Sequence, residues 1–95
     1  MNPAEFSRAK LVEELGELLQ LLGKLSAFPD RIHPDRKGDL LYRIHDEIAD
    51  VYAALRYFRE QHHLTMDAEY THPTSLWRRI QEKLSKFRVW GGAGT

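Results

Sequence analysis

The sequence predicts an all-α protein on three observations. Two long segments carry apolar residues at helical spacing, both begin with capping residues, and no segment alternates as a strand does. The chain has 95 residues, which suits a single domain over 1–95 with a flexible tail at 91–95. A domain of this size buries only about 60–65% of its unfolded surface. Helical chains this short often complete their core by pairing with a copy of themselves, so dimerisation is expected.

Each element has its own grounds. Asn2 can cap the first helix, Pro3 suits its first position, and Glu5 falls in its first turn. Leu11, Leu15, Leu18, Leu22 and Leu25 then recur in steps of four and three, which predicts a helix over about 3–25. Gly23 and Ser26 weaken its end, and Pro29 cannot continue it. Residues 27–38 (AFPDRIHPDRKG) read as a loop, first as a solvated connection and second as a segment that closes over a ligand. Asp39 can cap a second helix reaching about residue 62, with Leu40, Leu41, Ile44, Ile48, Val51, Leu55 and Phe58 as its apolar face. The polar stretch 63–74 contains Pro73 and has room for one short turn around 66–70. A third helix is expected over about 74–87, carrying Leu76, Trp77, Ile80, Leu84 and Phe87. The tail GGAGT is too rich in glycine to hold structure alone.

Composition narrows the function. Lys+Arg and Asp+Glu both number 14, and this balance argues against non-specific nucleic-acid binding. With no cysteine, disulfides, thiolate metal sites and cysteine nucleophiles are excluded. Residues 1–10 do not resemble a signal peptide, and no apolar run is long enough to span a bilayer. The expectation is a cytoplasmic protein with neither nucleic acid nor membrane among its partners.

The chemistry points to carboxylates. The first helix contains Glu13, Glu14 and Glu17, the second Glu47 and Asp50. A spacing of three puts Glu14 with Glu17, and Glu47 with Asp50, on adjacent turns of one face. At roughly 100° per residue, Glu14 and Glu47 each lie about 60° from the centre of the apolar stripe, at the edge of the expected helix interface. Four converging carboxylates repel one another, and a divalent cation relieves that. All-oxygen ligation selects Mg²⁺ or Mn²⁺, and Mg²⁺ typically shares its shell with substrate phosphates.

These residues resemble a known family. Glu-Glu-x-x-Glu (13, 14, 17) followed by Glu-x-x-Asp (47, 50) is similar to the signature of the MazG-like nucleotide pyrophosphohydrolases, of the all-α NTP pyrophosphatase superfamily. LVEELGELLQLLGKL and HDEIADVYAALRYF resemble its two motif helices, and IQEKLSKFRVW its Lys-rich ending. The resemblance implies a homodimer or homotetramer, its short antiparallel helices forming a four-helix-bundle-type core completed by dimerisation, that hydrolyses a (d)NTP to (d)NMP and pyrophosphate by water attack at the α-phosphorus. It implies Glu14, Glu17, Glu47 and Asp50 as metal ligands, with Glu13 holding a second metal or acting on the attacking water. With no glycine-rich phosphate cradle in the chain, Lys83, Lys86 and Arg88 are the cations expected at the triphosphate, with Lys24 behind them. Trp77 and Trp90 are candidate stacking partners for the base.

Other readings are distinguishable. Glu60 and His63 form one Glu-x-x-His pair, but a di-iron site needs that motif twice. His33, His45 and His72 are expected in solvent. The rival of another class is a non-enzymatic helical regulatory dimer. Within the superfamily, the alternative is a specialised dUTP or phosphoribosyl-ATP pyrophosphatase.

Overall fold

A computed structural model describes residues 1–64 and 76–92. It is all-α, with helices α1 (Pro3–Ala27), α2 (Leu40–Gln61) and α3 (Leu76–Trp90) and no strand among the described residues. The expected turn around 66–70, His72, residues 74–75 and residues 93–95 lie outside the described residues. The chain divides into two compact units, Met1–His62 and His63–Thr95.

The first unit is a helical hairpin. The Asn2 side-chain oxygen accepts from the Glu5 amide at 2.8 Å, and Asn2 Nδ2 donates to Glu5 Oε1 at 3.1 Å. This reciprocal cap satisfies one of the amides that the first turn leaves without a partner. At α2, Asp39 Oδ1 accepts from the Leu41 amide at 2.8 Å. The least exposed residues of α1 fall at Ser7, Leu11, Glu14, Leu18, Leu21 and Leu25, and those of α2 at Leu40, Ile44, Glu47, Val51, Ala54 and Phe58. Both series advance in alternating steps of four and three, the spacing that keeps one seam facing a neighbouring helix. The helices run antiparallel. Phe6 meets Tyr57 edge-on at 6.3 Å near one end, and Lys24 and Arg43 share Asp35 near the other.

The seam differs from the stripe expected from the leucines. Leu15 and Leu22 on α1, and Leu41, Ile48 and Leu55 on α2, are exposed rather than inward. Each helix is apolar over a second strip, about 100° round from the seam, and counting every leucine averages the two strips. Glu14 and Glu47 consequently lie in the seam itself, not at its edge.

The connection over 28–39 is tied down by its own polar groups. Asp35 accepts from Lys24 Nζ at 3.0 Å, from both Arg43 Nη atoms at 3.0 and 3.1 Å, and from the Lys37 amide at 3.1 Å. Burial alone would raise the Asp35 pKa; the bonds from Arg43, Lys24 and the Lys37 amide outweigh it and hold the carboxyl well below the usual range. The Arg31 guanidinium grips Asp39, and the Arg31 carbonyl accepts from the Leu40 amide at 3.0 Å. Arg31 reaches that position with a φ of 75°, in the left-handed region. His33 is not solvated as expected: its ring packs edge-on against Phe28 at 4.9 Å, and its Nδ1 accepts from the Asp35 amide. His45 does stand in solvent.

In the second unit, α3 has no buried residue. An Arg78–Glu82 pair at 3.3 Å braces successive turns, and Phe87 and Trp90 lie 6.0 Å apart on one side. Among the described residues, no helix is long and apolar enough to cross a membrane.

Two stability predictions follow from this packing. Leu40 is 0% exposed, and Leu40→Ala is expected to cost about 2–5 kcal/mol in urea unfolding, the usual range for a leucine cavity. Asp35→Asn is expected to lower the thermal midpoint in circular dichroism, while Asp46→Asn, at an exposed side chain on α2, leaves it nearly unchanged. A depressed folded-state pKa contributes stability above the unfolded value of about 3.9 that is lost as pH falls. The variant's midpoint should therefore decline less steeply than wild type between about pH 5 and pH 2.

Candidate functional site

The seam of the hairpin contains the site. Glu14 is 9% exposed and Glu47 7% exposed, each flanked along its own helix by residues of the seam. Glu14 Oε2 and Glu47 Oε1 are buried with no hydrogen-bond partner. A buried polar oxygen without a partner is costly, and natural folds leave few of them. Asp50, one turn beyond Glu47 and exposed, completes a group: one oxygen each from Glu14, Glu47 and Asp50, all within 4.8 Å of one another.

Electrostatics follows from this crowding. The Glu47 pKa is pushed up from 4.5 to about 8, first by burial, then by the apposed Glu14 carboxyl, with the charges of Glu17 and Asp50 adding to it. Without a cation, the cheapest state of the seam holds a proton near Glu47. A divalent ion does the same service for all three groups. Six oxygens about 2.1 Å from Mg²⁺ lie about 3 Å apart when adjacent and about 4.2 Å when opposite. The three oxygens, all within 4.8 Å of one another, would have to close to that spacing to share one ion.

The structure therefore brings together three of the four expected ligands. Glu17 is exposed and lies outside the group within 4.8 Å, although its charge reaches Glu47. Glu13 points away from the seam, half exposed, with Oε2 3.2 Å from Lys10 Nζ. Lys24 is not brought to the carboxylates. It is engaged by Asp35, and ten residues separate it from Glu14, about 15 Å along the helix. Lys83, Lys86 and Arg88 belong to α3 in the second unit, where Lys83 and Lys86 line a shallow hollow with Arg79 and Glu82. Trp77 and Trp90, also on α3, are exposed.

One charged neighbour escaped the sequence reading. Lys10 Nζ lies 3.2 Å from Glu13 and 3.8 Å from Glu14. The signal was present as Lys-x-x-Glu-Glu, a spacing that sets a lysine one turn below both carboxylates. The chain matches no protein-family model, no curated protein and no solved structure.

A pH prediction tests the crowding. With the folded pKa of Glu47 raised, the folded state binds more protons than the unfolded one between pH 4.5 and about 8. Stability of the metal-free protein should therefore fall as pH rises through that window. Glu47→Gln should flatten this decline, read as the thermal midpoint at half-unit steps in a chelating buffer.

Proposed function

We propose that the protein is a Mg²⁺-dependent nucleoside triphosphate pyrophosphohydrolase, with Mn²⁺ as a substitute ion. The observation that carries this reading is the buried pair Glu14 and Glu47, each with an oxygen that no protein group satisfies, beside Asp50. An acidic cluster in solvent needs no ion, but this pair lies within a helix seam.

The reaction comes from the resemblance of the two motif helices. Water attacks the α-phosphorus of a (d)NTP, the bond to the bridging oxygen of the β-phosphate breaks, and (d)NMP and pyrophosphate leave. A hard cation at Glu14, Glu47 and Asp50 would supply charge neutralisation and orientation of the phosphates, which is most of what phosphoryl transfer asks of a protein. Glu17, one turn beyond Glu14 and outside that group, would join the shell through a water. Glu13 reaches solvent and suits the role of orienting or deprotonating the nucleophile.

The proposal includes self-association into a homodimer or homotetramer in the cytoplasm. Val12, Leu15, Leu19 and Leu22 on α1 and Leu41, Ile48, Tyr52 and Leu55 on α2 are all exposed. On helical geometry both strips turn to the same broad face of the antiparallel hairpin, opposite the side of Glu17 and Asp50. Two such faces packed together would give a four-helix core. A regulatory dimer without activity would use the same strip, so the strip does not distinguish the two readings; the unsatisfied oxygens favour the enzyme.

The test is pyrophosphate release from the common NTPs and dNTPs, dUTP and phosphoribosyl-ATP, each with Mg²⁺. Turnover of at least one substrate is expected, with Glu47→Gln and Asp50→Asn each lowering it by about a hundredfold or more. Mg²⁺ should also raise the wild-type melting temperature by mass action. A protein that releases no pyrophosphate and melts identically with and without Mg²⁺ would overturn the reading.

A further inference from the structure

The geometry points to Lys10 as the resident counter-ion of the carboxylate site, one that turns to the triphosphate when a metal takes its place. This inference rests on the metal-site reading above and adds a residue to it.

Lys10 stands one turn before Glu14 on α1. Its ammonium lies 3.2 Å from Glu13 Oε2 and 3.8 Å from Glu14 Oε1, with a side chain 42% exposed. The same glutamates raise its pKa, the hydrogen bond to Glu13 first. Because α2 runs antiparallel, Asp50 lies from Glu47 toward the same end of the hairpin as Lys10 lies from Glu14. On helical geometry, Lys10, Glu17 and Asp50 also fall on the same side of the seam. The ammonium thus sits at the rim of the group through which an ion and its phosphates must enter.

A bound divalent ion and this ammonium compete for one set of negative charges. Once the ion is ligated, its positive charge offsets part of the field that holds Lys10, and the ammonium's hold on Glu14 weakens. Lysine is suited to leaving: it is a point charge on a four-carbon stem with three rotatable donors. The triphosphate brings more negative charge than one divalent ion cancels, and the half-exposed ammonium can reach it from the rim. Its departure also frees Glu13 Oε2, the oxygen proposed to act on water. A different account makes Lys10 an ordinary surface partner at i,i+3 and i,i+4, worth little to anything but the helix.

The experiment uses the full chain and two probes, Mn²⁺ followed by electron paramagnetic resonance and inorganic tripolyphosphate titrated at saturating Mn²⁺. Lys10→Met should bind Mn²⁺ about tenfold more tightly than wild type and tripolyphosphate about tenfold more weakly, as loss of one nearby positive charge requires. Lys10→Arg should keep tripolyphosphate affinity near wild type, and it serves as the second variant if Lys10→Met folds poorly in circular dichroism. In turnover, Lys10→Met should raise KM more than it lowers kcat. If wild type binds Mn²⁺ but Lys10→Met matches it within twofold for both probes, Lys10 is a helix-surface pair and the proposal is wrong. Weaker Mn²⁺ binding by Lys10→Met would overturn it as well. If wild type binds no Mn²⁺, the metal site itself fails, a result visible before any variant is made.

Discussion

Two carboxylates face each other across the seam between α1 and α2, and the rest of the hairpin is arranged around that opposition. Glu14 and Glu47 occupy positions that the seam's spacing would otherwise give to leucine or valine. Burial and mutual repulsion oppose their ionisation together, and only a shared proton or a cation removes the conflict. The apolar groups that hold the helices together despite this are few: Leu40, Ile44, Val51 and Ala54, with half-buried leucines on α1. In its described seam this small fold carries a conflict that a shared proton or a bound cation would lower.

Much of this was legible in the sequence, and the reasons differ by feature. The helix starts were readable because Asn2 and Asp39 act locally, through bonds to amides two or three residues on. The pairing of Glu14 with Glu47 and Asp50 was readable because the spacing of three survives whatever the helices pack against. What failed was the position of the seam. Leu15 and Leu22 have the same hydrophobicity as Leu18 and Leu25, and no single-helix pattern distinguishes a face turned to α2 from one left exposed. The Asp35 network was illegible for another reason. It joins groups from α1, the loop and α2 that come within reach only after the hairpin forms, so His33 looked solvated and Lys24 looked available. Lys10 was overlooked because a lone lysine near glutamates on a helix is ordinary; only its place at the rim of a buried pair makes it notable.

The hairpin has two unlike broad faces. One carries Glu17, Asp50 and the Lys10 ammonium, and the other a strip of exposed leucine, isoleucine, valine and tyrosine. Under the proposed function, such a division would keep the carboxylates clear of a second copy covering the apolar side. Under the proposed self-association, the leucines of α1 beyond those facing α2 would serve a second contact.

The clamp at Asp35 has a consequence for alignment. Both helices repeat their inward residues with the same alternating steps, so sliding one past the other by a heptad would again set apolar residues against apolar residues. The pattern therefore leaves the axial offset of the helices ambiguous, and a displaced hairpin would strand one glutamate against a leucine. Lys24 near the end of α1 and Arg43 in the first turns of α2 both reach the same Asp35 carboxylate, which only one offset permits. The loop acts as the zero mark of a ruler, and the facing of Glu14 with Glu47 is read from it.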